Sequence, residues 1–166
     1  MRSECVPKER SVSFNAKQLR YVVTKVLAGV DLSSPEAIEL ILGTIAQESQ
    51  FGTYFKQLGG GPALGICQME PFTAVDIWAN YLIYHPEQRN RLLAISGVYE
   101  HLDWYLEINL AYQIAMCRYK YVMRPGGIPK TLDGQAEYWN REYNANPNKG
   151  TPEEYVANYK RYVDES

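Results

Sequence analysis

Apolar residues recur along this chain at spacings of three and four, the repeat of one helix face. The clearest case follows Ser34-Pro35-Glu36, which combines a capping hydroxyl, a proline at the first helical position and an acid in the first turn. Ile38, Ile41 and Ile45 then form a stripe, and the next position on that stripe is Glu48. An acid in line with isoleucines is expected to face the interior, or a cleft cut into it. Burial disfavours the charged form, so its pKa is expected to be raised.

Further helices are read in the same way. Asn15 caps one running to about Leu27, with Gly29 near its end. Thr73 to Tyr84 reads as a helix with Val75, Ile77, Trp78 and Leu82 on its inner side. Pro86 restarts a helix through Leu92 and Leu93. Asp103 caps a long helix to about Met123, apolar at Leu106, Leu110, Ile114, Cys117 and Tyr121 and stopped by Arg124-Pro125-Gly126-Gly127. Asp133 and Thr151-Pro152-Glu153 open two more. Gly52 to Pro71 reads as a loop centred on Gly59-Gly60-Gly61-Pro62, and a loop that long in a compact domain is usually functional. No strand alternation of useful length, internal repeat or low-complexity segment is found. The expectation is a single all-α domain over residues 13–166, preceded by a polar, loosely held segment at residues 1–12.

Composition narrows the function classes. A chain of 166 residues with 46% hydrophobic content can bury one sizeable core. A net charge of −2 gives no field favouring nucleic acid or a membrane surface. No run of 18 apolar residues is present, so no membrane span is expected. The N-terminus, Met1-Arg2-Ser3-Glu4-Cys5, lacks an apolar core of the secretory type, so synthesis in the cytoplasm and delivery by other means are expected. The odd, scattered cysteines Cys5, Cys67 and Cys117 argue against a disulfide framework or a zinc site. His85 and His101 have no metal-ligand spacing, and no metal or cofactor is expected. Fourteen tyrosines are unusual, and their flat faces with polar tips suit wet, ring-shaped ligands such as sugars. The plainer reading gives roughly two in three of them to helix packing.

Glu48 itself has two readings. It can be a proton donor held protonated by burial. It can also be a structural acid paired with an arginine such as Arg118. Gly65-Ile66-Cys67-Gln68-Met69-Glu70-Pro71 places a polar pair in a tight, glycine-started turn. Tyr143-Asn144 lies before the C-terminal helix.

Taken together, and in this order, these segments resemble the soluble lytic transglycosylase family. Gln47-Glu48-Ser49-Gln50-Phe51 is similar to its Glu-Ser-x-Phe signature. Gly65-Ile66-Cys67-Gln68-Met69 is similar to its Gly-Leu-Met-Gln-Ile segment, and Glu142-Tyr143-Asn144-Ala145-Asn146-Pro147 to its Ala-Tyr-Asn-Ala-Gly-Pro segment. The resemblance spans about residues 36–160. It implies a lysozyme-like helical fold that cuts the β-1,4 bond between MurNAc and GlcNAc in peptidoglycan. Several phage proteins of this type lack signal peptides, which fits the N-terminus here, and action on the cell wall after delivery, in host lysis or on a virion, is expected.

Carried over by position, the resemblance makes Glu48 the general acid and base. Ser49 would steady it or the sugar, and Gln68 would hold the N-acetyl sugar. Tyr143 would approach Glu48, and Asn144 would shape the site. The substrate's own 6-hydroxyl would attack, leaving a 1,6-anhydro end, so no second carboxylate is required. Two positions depart from the pattern: Asn146 stands where the family usually has glycine, and Glu70 where it usually has an apolar residue. The related goose-type lysozymes are hydrolases with an acid near that position. Glu70 is therefore either a second carboxylate that activates water or a solvated acid favourable at a helix start. The expected partner is the peptidoglycan glycan strand, cleaved by a lytic transglycosylase. The alternatives are a hydrolytic muramidase and a non-catalytic glycan-binding or virion structural module.

Overall fold

A computed structural model describes residues 13–144, 146 and 148–164. The segment at residues 1–12 lies outside the described residues. The described chain is a single all-α domain of eight α-helices with no named strand.

α1 (Ala16–Gly29) starts where the Asn15 side chain accepts the Gln18 N–H at 3.1 Å. α2 (Pro35–Ser49) starts where Ser34 Oγ accepts the Ala37 N–H at 3.1 Å. Leu40, Ile41, Leu42, Thr44, Ile45 and Ala46 of α2 are all fully buried. α1, α6, α7 and α8 pack around it, so α2 is the axis of the molecule. Such a helix carries apolar residues on every face. α8 can approach only because position 43 is glycine: a Cβ there would lie 2.1 Å from the Tyr155 hydroxyl. That hydroxyl donates to the Leu40 carbonyl at 3.2 Å.

The remaining helices close the core. α3 (Pro71–Asn80) begins at Pro71 and gives way to a 3₁₀ turn at Leu82–Tyr84, so the helix expected over Thr73–Tyr84 starts earlier and is broken. Val75, read as an inner residue, is 51% exposed, while Ala74 and Ile77 are buried. α4 (Pro86–Ser96) ends at Gly97, whose φ of 76° is the left-handed cap.

The long helix expected from Asp103 is two: α5 (Tyr105–Ile108) and α6 (Leu110–Val122). Asn109 is the reason. Its backbone is extended, its side chain accepts the Tyr112 N–H at 3.0 Å, and its Nδ2 donates to the Ser96 carbonyl at 2.9 Å. α7 (Leu132–Glu142) is capped by Thr131, placing Asp133 inside the first turn. α8 (Pro152–Tyr159) opens with a reciprocal capping box between Thr151 and Glu154.

Nine of the 14 tyrosines are buried. Their hydroxyls tie helices together, as when Tyr121 meets Thr44 Oγ1 at 2.8 Å. Tyr112 accepts the Trp78 indole N–H at 2.9 Å. Tyr159 and Arg20 both bond Glu39. Cys67 and Cys117 are free and buried. Among the described residues no buried side-chain polar atom lacks a partner, and no helix is long and apolar enough to cross a membrane.

Candidate active site

The chain after α2 turns sharply. Gln50, Phe51 and Gly52 all have positive φ, at 49°, 59° and 80°. Phe51 is fully buried, and its ring stacks on Tyr162 with centroids 6.1 Å apart. Ser49 Oγ accepts the Gly52 N–H at 2.9 Å and donates to the Ile45 carbonyl at 3.2 Å. Ser49 has no exposed surface. It closes the helix end from inside, bonding Ile45 and Gly52 rather than the Glu48 carboxyl, so the expectation that it steadies Glu48 or the sugar is corrected on that ground.

The segment read as a loop folds back on itself. Isolated antiparallel bridges join Lys56 to Leu64 and Leu64 to Met69. The turn that follows is pinned from beneath. Gly65 has φ +76°, and a Cβ there would lie 1.9 Å from the Leu106 carbonyl oxygen and 2.2 Å from Gln113 Oε1. Gln113 Oε1 accepts the Ile66 N–H at 2.7 Å. Gln68, itself at φ 45°, donates its side-chain N–H to the Gly65 carbonyl at 2.9 Å. The Tyr143 hydroxyl donates to the Cys67 carbonyl at 2.7 Å. Tyr143 therefore acts as a strut between the end of α7 and this turn. It lies in the field of Glu48, but its hydroxyl proton is committed to Cys67.

These elements enclose a cleft of about 400 Å³. The chain from Tyr54 to Thr73 contributes Tyr54, Gln57, Leu58, Gln68 and Glu70. The stretch after α7 contributes Tyr143, Asn144, Asn146 and Lys149, and α8 adds Glu154. Glu48 from α2 and Lys120 from α6 also line it. Of the residues singled out in the sequence, Glu48, Gln68, Glu70, Tyr143 and Asn144 share this one cleft, and Ser49 does not.

Glu48 has a defined setting. The Trp139 indole N–H donates to its Oε1 at 2.9 Å. The Tyr54 hydroxyl donates to its backbone carbonyl at 2.7 Å. Among the described residues no cation lies within salt-bridge distance of it, and Arg118 instead donates to the Leu32 carbonyl at 3.2 Å. The pairing with Arg118 is thus corrected. Burial pushes the Glu48 carboxyl up to about 7, against the opposing pull of the Trp139 indole and the Lys120 and Lys149 ammoniums. A carboxyl at that value is half protonated at neutral pH and can donate its proton there.

Asn144 shapes the wall beyond. Its Nδ2 donates to the Lys149 carbonyl, and its Oδ1 accepts the Asn146 N–H at 3.3 Å. Asn146, where the sequence departs from the family pattern, accepts the Asn148 N–H at 3.0 Å and lines the cleft. Glu70 precedes α3 but makes no side-chain cap bond, and its exposed carboxylate lines the cleft.

Trp139, Lys120, Tyr54 and Gln113 complete the site and were not singled out in the sequence. Of these, only Gln113 carried a local signal, a polar residue between the apolar Tyr112 and Ile114 of a buried helix. Among the described residues no group of His, Cys, Asp and Glu is arranged to hold a metal ion. Comparison of this chain with protein-family models, with curated proteins and with solved structures finds no match.

Proposed function

We propose that this protein cleaves the β-1,4 MurNAc–GlcNAc bond of peptidoglycan as a lytic transglycosylase with a lysozyme-like fold. The observation that carries the reading is Glu48: a carboxyl raised to about 7, in a cleft of about 400 Å³, beside Gln68 and Tyr143. The last two belong to the other segments that resemble the family. The glycosidic oxygen is a poor leaving group and needs a proton as its bond to C1 breaks. Glu48 supplies it. The 6-hydroxyl of the same sugar then attacks C1, and Glu48 takes up the hydroxyl proton. A glycan-binding module has no use for a half-buried acid whose surroundings oppose its charge, since that costs stability whenever it ionises.

A second reading, a muramidase, has its own observation. Glu70 lines the same cleft and is not engaged in capping α3. An inverting hydrolase needs such a second carboxylate to activate water.

Glu70→Gln separates the two. On the lytic transglycosylase reading the variant keeps most of its activity, measured as loss of turbidity of purified cell walls, because the sugar hydroxyl replaces water. A loss comparable with that of Glu48→Gln would favour the muramidase. No turbidity loss by the wild-type protein would favour the non-catalytic module.

A further inference from the structure

Lys120 lies near the C-terminal end of α6, among buried apolar neighbours such as Cys117, Tyr119 and Tyr121. Its Nζ donates to the Tyr143 carbonyl at 2.7 Å and sits 3.7 Å from the centre of the Tyr143 ring. Those two contacts hold an ammonium on the wall of the cleft that contains Glu48. Resting on the glycan-cleaving reading, we propose that Lys120 is a positioning residue for that reaction, steadying the Glu48 carboxylate left behind once its proton has been delivered.

In the first step the proton passes from the Glu48 carboxyl to the bridging oxygen, and the C1–O electron pair leaves with that oxygen. In the second the C6 hydroxyl oxygen bonds to C1, and its proton returns to Glu48. Between the two, a carboxylate occupies a site where burial opposes charge. A cation fixed nearby and partly withdrawn from water offsets that opposition more than a solvated one could. The coupling is mutual: burial draws Lys120 below the ordinary lysine range, and Glu48 acts on it in the opposite sense.

The other groups around the pair do not replace this cation. Lys149 acts on Glu48 in the same sense, but it is exposed, where solvent screens it. Glu70 favours the charged form of Lys120, and Arg124 disfavours it. Cys67, Cys117 and Tyr143 are buried. Tyr54 donates to the Glu48 backbone, and Glu154 accepts the Thr151 N–H at 3.0 Å in the α8 cap.

The Trp139 indole N–H reports the ionisation of Glu48 without any substrate, because it bonds Glu48 Oε1. Its NMR resonance, assigned by its loss in Trp139→Phe, is expected to titrate in the full chain with a midpoint of about 7. Lys120→Gln keeps a donor for the Tyr143 carbonyl but removes the charge, and should raise that midpoint by about half a pH unit or more. Lys120→Arg keeps the charge and should restore most of the wild-type midpoint. The alkaline limb of wall cleavage should move upward with the titration. A midpoint unmoved in Lys120→Gln overturns the assignment of Lys120, whatever the activity. Failure of the wild-type protein to release wall fragments overturns the glycan reading instead, and the two failures are read from separate measurements.

Discussion

Glu48→Gln is expected to fold, to lose wall-degrading activity by on the order of 10²-fold or more, and to melt higher than the wild-type protein above neutral pH. The activity loss follows from removing the transferable proton while keeping the size of the side chain. The stability gain follows from the same burial that makes the residue useful. The folded-state value, about 7, lies above the ordinary 4.5. Below the ordinary value the carboxyl is protonated in both the folded and the unfolded chain, so ionisation has no effect on stability there. Between 4.5 and about 7 the unfolded chain gives up its proton first, so stability falls as pH rises. Above about 7 the loss is complete, and its size is on the order of 3 kcal/mol. Glutamine does not titrate, so the advantage of the variant should be absent at pH about 4 and full at pH about 8. Thermal melts of both proteins across that range check the sign. An advantage that stays constant with pH would mean that Glu48 ionises as an ordinary surface acid.

Gly65→Ala is expected to destabilise the protein by about 2–4 kcal/mol, combining a left-handed backbone with a steric clash. The obstructing atom is the backbone carbonyl oxygen of Leu106, 1.9 Å from the Cβ position. A backbone carbonyl cannot swing aside as a side-chain tip can. The turn must shift, and with it the Ile66 N–H that bonds Gln113 and the Cys67 carbonyl that bonds Tyr143. Gln68 sits on this turn, so activity should fall further than stability alone accounts for. Gly59→Ala is the contrast: φ is +83°, but nothing lies within 4 Å of its Cβ position. Strain alone should then cost about 1 kcal/mol. Equal melting of the two variants would show that the Gly65 turn is not held as described.

The helices with local start signals were legible in the sequence, and those decided by competition were not. Ser34-Pro35 fixes the start of α2, and the isoleucine stripe carries Glu48 to its place because both are local patterns. Between Asp103 and Asn109 either residue could cap a helix. The choice is made by the bond from Asn109 to Ser96, at the end of a different helix, which no window of sequence contains. Val75 was misplaced because α3 buries its narrow Ala74 and Ile77 side and leaves the larger residue outside.

In the site, the three segments that resemble the family line one cleft; the isoleucine stripe pointed to Glu48 by itself, whereas Gln68 and Tyr143 were reached only through the resemblance. The direct partner of Glu48 was not reached at all. Trp139 stands on α7, far along the chain, and reads there as one more apolar residue of an amphipathic helix. Lys120 was hidden for the opposite reason, since a lysine near a helix C-terminus is the expected solvent-facing cation. The tyrosines follow the plainer reading, because most bury their rings between helices, and of the 14 Tyr54 and Tyr143 line the cleft.

The central claim is that Glu48 drives a non-hydrolytic cleavage of the glycan strand. It is tested most directly by mass spectrometry of the soluble fragments that the wild-type protein releases from purified peptidoglycan. Fragments ending in 1,6-anhydroMurNAc, absent when Glu48→Gln is used, are the predicted result. Fragments with reducing ends, or no fragments at all, would contradict it.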